Sequence, residues 1–321
     1  MTMTADIRAR PPRRTRRAAA RAAGAAVAAI TAAGLLAGCA ASADDRPVIV
    51  VSTNILGDVV AEIAGDEAQV VTLMKPDADP HSFEISAQEA SRLRSADLVV
   101  SNGLGLEEGL QQHLDGAADA GVASFVAGDV VDVLDYSSED AAGTPDPHFW
   151  TDPARMTAVV DALEPELAAI DGVDADAIAE GAADYRSELD QLDTDMTAAF
   201  DAIPADRRAL VTNHHVFGYL AERFGFRIVG TVIPGGTTLA APSASDLAGL
   251  VRAVEDAGVT TIFAESSSPD RLVRALAEEA DVEVAVVELY TESLTAADGG
   301  APDYLTMMRV NTERISTGLA P

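Results

Sequence analysis

Apolar residues at Ile178, Ala182, Tyr185, Leu189, Leu192, Met196, Phe200 and Ile203 step by three or four without interruption, and Pro204 closes the run. Such spacing returns every one of them to the same face of an α-helix, so residues 174–203 are predicted to form one amphipathic helix. At about 1.5 Å per residue it would extend roughly 40 Å, more than the diameter of a small domain. A helix of that length with one seam can pair two copies as a coiled coil, or it can brace two lobes of a single chain. The flanking sequence favours the brace.

On the N-terminal side, residues 48–52, 70–74, 98–101 and 123–126 are short apolar runs rich in β-branched side chains. They read as buried parallel strands, with amphipathic stretches such as 55–64 and 86–96 between them. The same alternation returns after Pro204, with strands at 209–212, 228–233, 260–264 and 282–287 and helices near 216–224, 245–257, 269–280 and 303–317. The predicted fold class is therefore α/β: two lobes of βα repeats with parallel sheets, joined by one long spanning helix. The boundaries expected are a signal peptide at 1–38, an N-terminal lobe at 39–173, the linking helix at 174–203 and a C-terminal lobe at 204–321.

The first 38 residues hold seven arginines, one acid and an Ala-rich apolar run. This is the pattern of an export signal, too short and too rich in Gly and Ala for a permanent membrane span. Leu36-Ala-Gly-Cys39 resembles the bacterial lipobox, in which the cysteine is lipidated and becomes the mature N-terminus. Cys39 is the only cysteine in the chain, so no internal disulfide can form and no thiolate can serve as a metal ligand elsewhere. Arginine pairs at 13–14 and 16–17 leave both general and twin-arginine export open. Without residues 1–38 the chain keeps 15 basic against 51 acidic residues, a formal charge near −36. That charge excludes nucleic acid as a partner and suits an exported, soluble protein whose acidic residues are spread over solvated faces.

Four of the five histidines lie in three short segments: Asp79-Pro-His-Ser-Phe-Glu84, Asp146-Pro-His-Phe-Trp-Thr-Asp-Pro153 and Thr212-Asn-His-His-Val-Phe-Gly-Tyr219. The fifth, His113, sits in a polar helical stretch. Proline fixes its own φ and keeps the preceding Asp out of helical geometry, so each Asp-Pro-His presents its imidazole from a stiff loop. A lone histidine is usually a capping or core residue; this concentration points to a metal site, which needs ligands held to a fraction of an ångström.

With Asn102-Gly-Leu-Gly-Leu-Glu107, Ser243-Ala-Ser-Asp-Leu247, Ile262-Phe-Ala-Glu265 and Leu289-Tyr-Thr-Glu-Ser-Leu294 added in order, the chain resembles the metal-binding lipoproteins of ABC importers, the zinc, manganese and iron solute-binding proteins. The resemblance covers nearly all of the chain after residue 38. It implies two α/β lobes, a spanning helix and a metal held between the lobes. Carried over residue by residue, it implies ligands at His81, His148 and His214, with His215 in a place that does not ligate. The fourth family ligand is commonly an aspartate before Ser-Leu, and here that place holds Glu292. Its extra methylene requires a shifted loop or rotamer, so Glu265 stands as the alternative carboxylate, otherwise a structural acid.

Three imidazoles and a carboxylate form a tetrahedral nitrogen and oxygen set that suits Zn²⁺, whereas manganese favours more oxygen. Family members carrying manganese commonly place a carboxylate where His214 stands. Those carrying zinc often have a His-rich loop before the second ligand, and residues 136–147 contain no histidine. The expectation is an extracytoplasmic protein, lipid-anchored at Cys39 and monomeric, that captures Zn²⁺ and delivers it to an ABC permease, with a periplasmic metallochaperone as a possible further partner. Manganese or iron import and adhesion are the alternatives. A zinc hydrolase is disfavoured, because four protein ligands leave no open position for water and neither a His-Glu-x-x-His nor a Gly-x-Ser-x-Gly motif is present. If Cys39 carries the anchor, Cys39→Ala leaves metal binding intact and moves the protein to the soluble fraction. Retention in salt-washed membranes would contradict lipid anchoring, which takes more than one acyl chain.

Overall fold

The computed structural model describes Thr2 and residues 45–136, 142–267, 270–279 and 284–320. Apart from Thr2, the stretch expected to be the export signal lies outside the described residues, as does Cys39. Two four-stranded parallel sheets organise the rest. The first contains β1 (Val48–Val51), β2 (Gln69–Thr72), β3 (Leu98–Ser101) and β4 (Ala123–Val126) in the order β2-β1-β3-β4. The second contains β5 (Ala209–Thr212), β6 (Arg227–Thr231), β7 (Thr261–Glu265) and β8 (Ala285–Leu289) in the order β6-β5-β7-β8. The two lobes thus share one topology, and each connection between parallel strands carries a helix or a long loop.

Helices cover both faces of each sheet. In the first lobe α1 (Asn54–Ala64) packs on the inner face, while α2 (Ala87–Leu93) and α3 (Gln111–Asp119) cover the outer one through Leu93, Leu110 and Ala117. After it come α4 (Pro153–Ala168) and the long α5 (Ala175–Asp201). The second lobe has α6 (Gly218–Phe224), α7 (Ala244–Ala257), α8 (Arg271–Glu279) and α9 (Tyr304–Gly318), with Leu250, Val254, Val273 and Leu276 forming its separate outer core.

Helix α5 is the predicted amphipathic helix, started by an Asp174 cap whose carboxylate accepts from Asp176 N. Its whole apolar seam, Ile178 through Ile203, is buried. One continuous core joins that seam to α1, α4, α6 and α9, so the surface a coiled coil would need is used within the chain. Near its start, a Cβ on Gly181 would stand 2.5 Å from the Ile63 carbonyl oxygen of α1, an approach only glycine permits. Near its end, Phe200 stacks edge-on against Phe224 and Phe226 of the second lobe, at 5.1 and 5.0 Å between ring centroids.

Two elements differ from expectation. Helix α4 was not foreseen, although Asp152 caps it through Ala154 N and Pro153 occupies its first turn. The second Asp-Pro pair of the histidine motif is therefore a helix start, since proline at N1 lacks only a donor that would be unpaired anyway. The last strand runs on to Leu289, beyond the predicted 282–287, because β8 is an edge strand on which exposed Glu288 alternates with buried Leu289; residues 280–283 lie outside the described ones.

The lobes also meet through a half-buried acid. Asp58 of α1 accepts from Tyr304 N at the start of α9 at 2.9 Å. Burial pushes its pKa up to about 6, against the pull of that donor and with help from the neighbouring Asp303 and Glu62 carboxylates. The folded state therefore binds the proton more tightly than the unfolded chain, and stability from this group is lost as pH rises from about 4 through about 6. Asp58→Asn keeps an acceptor for Tyr304 N without the charge. It is expected to stabilise the protein at pH 8 by on the order of 1–3 kcal/mol, with the gain disappearing towards pH 4, as read by thermal unfolding across that range.

Candidate metal centre

All the chemistry-bearing loops leave the sheets from the carboxyl ends of strands, where open parallel sheets bind their ligands. His81 follows β2, His148 follows β4, His214 lies two residues past β5, and Glu292 lies three residues past β8. Glu265 is the last residue of β7. The two Asp-Pro-His segments repeat one local bond: Asp79 Oδ1 accepts from His81 N at 2.8 Å, and Asp146 Oδ1 accepts from His148 N at 2.9 Å. The short acid two residues ahead thus closes an Asx-type turn that turns each imidazole inward.

His81, His148, His214 and Glu292 come together, all four buried, with one donor atom from each lying within 4.8 Å of the others. Glu292 Oε1 stands 3.0 Å from His81 Nε2, 3.3 Å from His148 Nε2 and 3.2 Å from His214 Nε2. The Nε2 atoms of His81 and His148 are 3.4 Å apart. A tetrahedron with ligands about 2.0–2.1 Å from its centre has edges of about 3.3 Å, so these four separations match edges of a four-coordinate metal shell. Glu292, at the place where the family commonly has an aspartate, brings Oε1 within 3.3 Å of all three Nε2 atoms.

The polar bookkeeping also points to a cation. Within the described residues, both Glu292 oxygens and His214 Nε2 are buried without a hydrogen bond, being close to one another but not aligned for one. Burial opposes ionisation of Glu292, but the His214, His148 and His81 imidazoles outweigh it and hold the carboxyl well below its usual range. Burial likewise opposes a charged His214, yet the Glu265 and Glu292 carboxylates raise it well above the ordinary imidazole value. His148 is raised as well, with Asp146 overcoming its burial.

Two acids outside the cluster orient its imidazoles. His148 Nδ1 lies 2.7 Å from Asp146 Oδ1, and His214 Nδ1 lies in close contact with Glu265 Oε1. Each leaves Nε2 free to face the centre, the carboxylate-histidine arrangement that fixes tautomer and ring direction. Glu265, the alternative ligand from the sequence, has both oxygens engaged, since Oε1 also accepts from His214 N and Oε2 from Asn213 Nδ2, both at 3.2 Å. His215 points instead into the wall of a cavity of about 290 Å³ shared with Tyr136, Asp146 and Glu222. There burial, with His214 beside it, lowers its pKa to about 4. His113 lies in α3, outside the cluster.

Several contributors went unrecognised in the sequence. Tyr136 O–H donates to Gly236 O at 3.0 Å and sits 3.2 Å from His148 Nδ1. Its ring lies so close that a Cβ on Gly236 would stand 2.3 Å from it. Thr238 Oγ1 donates to Asp79 Oδ2 at 2.6 Å, so one loop of the second lobe touches supports of both His81 and His148. Tyr219 O–H donates to Asp146 O at 2.7 Å from α6. Only Asp146 had a local signal, the repeated Asp-x-His spacing; the others are long-range pairings with no trace in nearby sequence.

Comparison with known proteins bears on the fold and the family. A family model described as "ZnuA: Zinc-uptake complex component A periplasmic" matches residues 49–318. The zinc-binding protein TroA of Treponema pallidum is 29% identical over 284 residues, covering 87% of this chain and 91% of that protein. The manganese ABC transporter substrate-binding lipoprotein PsaA of Streptococcus pneumoniae is 26% identical over 285 residues, covering 87% and 90%. The solved structure of the periplasmic zinc-binding protein TroA superposes with a TM-score of 0.79 at 28% identity, covering 86% of this chain and all of that one. Sheet topology, the spanning helix and the matched length agree, and the chain belongs to the family of periplasmic metal-binding solute-binding proteins that serve ABC importers.

Proposed function

We propose that this chain captures Zn²⁺ through Nε2 of His81, His148 and His214 and one carboxylate oxygen of Glu292, and passes it to an ABC permease. The observation that carries the reading is the buried three-nitrogen, one-oxygen set, four of whose edges, at 3.0–3.4 Å, fit a tetrahedron. Manganese prefers a more oxygen-rich shell, and the nitrogen of His214 argues against it here. Glu292 supplies one negative charge in contact with the ion, and Asp146 and Glu265 behind His148 and His214 add two more, so a divalent cation is well compensated. With four protein ligands no position remains for an activated water, which supports carriage of the ion and not hydrolysis. Export by the N-terminal signal and anchoring at Cys39 would keep the carrier beside the permease.

Protein purified without added metal is expected to contain one zinc per chain by elemental analysis, and to prefer zinc when titrated against manganese. Tighter manganese binding, or a manganese-filled protein from cells, would replace the cargo.

The ligand roles have their own test. His81→Ala, His148→Ala, His214→Ala and Glu292→Gln should each weaken zinc binding at least about tenfold, or about 1.4 kcal/mol, in a chelator competition. His215→Ala and His113→Ala should change it little. Glu265→Gln should cost about 10- to 100-fold through the orientation of His214. Equal losses at His214 and His215, or a larger loss at Glu265 than at Glu292, would redraw the site.

A further inference from the structure

Glu292 follows β8 and so belongs by sequence to the second lobe, but the residues on either side of it are held by the first. The grip of its own lobe ends at Tyr290, whose N–H donates to Asn311 Oδ1 at 2.9 Å and whose carbonyl accepts from Asn311 Nδ2. Between Thr291 and Leu294 the hydrogen bonds to other segments cross to the first lobe. Trp150 Nε1 donates to Thr291 O at 2.8 Å. Asn54, the first residue of α1, donates from Nδ2 to Ser293 Oγ at 2.8 Å and accepts at Oδ1 from Leu294 N at 2.9 Å. Asp77 N donates to Leu294 O at 3.0 Å. Thr291, Glu292 and Ser293 are all buried, so none of these bonds competes freely with water.

The consequence is geometric. A carboxylate must be held within about 0.5 Å to complete a metal shell, and the side chain of Glu292 has three rotatable bonds to control. Its two backbone neighbours are fixed on one side by the Trp150 indole and on the other by the Asn54 amide. Asn54 is itself buried at the end of β1 and the start of α1, and both belong to the first lobe.

We propose that Asn54 is the positioning residue for Glu292, so that the first lobe holds three of the four ligands, His81, His148 and Glu292, and the second lobe contributes His214 alone. This inference rests on the zinc reading given above. It divides the site three to one where the order of ligands along the chain divides it two to two. It also makes the His214 bond the one that any separation of the lobes would break first.

A double-mutant cycle in full-length protein, read by Zn²⁺ competition with a chromophoric chelator, tests it. Asn54→Ala is expected to weaken zinc binding by about tenfold or more, the cost of losing a supporting partner of a ligand. In the Glu292→Gln background the same change should cost less than about twofold, because the group it positions is already gone. Ser293→Ala, which removes only one acceptor of the Asn54 amide, should show a smaller loss with the same dependence on Glu292. Thermal unfolding of the metal-free variants confirms that each is folded, and Ser293→Ala carries the test if Asn54→Ala is not. Equal losses from Asn54→Ala in both backgrounds, or none in the parent while Glu292→Gln weakens binding, would overturn the positioning role alone. Parental binding by Glu292→Gln would overturn the ligand role of Glu292, and this proposal with it.

Discussion

A carboxylate buried without compensation costs several kcal/mol, and Glu292 is buried among three imidazoles that are themselves costly to leave unpaired. Its two oxygens, lying within the described residues without hydrogen bonds, make the pocket a place that only positive charge satisfies. The four side chains come from loops 67, 66 and 78 residues apart along the chain, so nothing local brings them together. Their convergence depends on two sheets being held with the carboxyl ends of their strands around one point.

That holding is done by apolar packing. The seam of α5 is buried from Ile178 to Ile203, and the core it forms continues into both lobes through α1, α4, α6 and α9. A linker of loops would let two domains move as separate bodies; here any wide opening would expose part of this common core at roughly 25 cal/mol per Å² of apolar surface. Polar contacts reinforce it at the edges of the site, where Tyr304 O–H donates to Trp150 O at 2.6 Å and Tyr219 O–H donates to Asp146 O at 2.7 Å. Movement confined to the ligand loops disturbs fewer of these interactions than rotation of whole lobes.

Much of this was legible from residues alone, and the reasons are local. The runs of Val, Ile and Leu at β1, β3 and β5 read as strands because buried parallel strands are continuously apolar. Helix α5 was legible because one period persists over eight turning positions, and the gathering of histidines because two of them stand in repeated Asp-Pro-His turns. Helix α4 was missed for the opposite reason: its start, Asp152-Pro153, was absorbed into the histidine motif, and Pro165 inside it breaks the usual helix signature. Glu265 was singled out as an alternative ligand or a structural acid, but its contact with His214 Nδ1, across 51 residues of chain, left no local trace.

The sequence by itself therefore determined the elements, their alternation into two lobes, the family and the residue types available for a cation, since period, turn chemistry and motif order act over short stretches. Only the tertiary structure shows that Glu292 and not Glu265 lies in the histidine cluster, that Glu265 instead backs His214, and that the Glu292 segment is tied to the opposite lobe through Asn54 and Trp150. Those outcomes depend on separations of a few ångströms between segments as much as 240 residues apart. Packing of the shared core sets such distances, and no pattern within a short window of sequence encodes them.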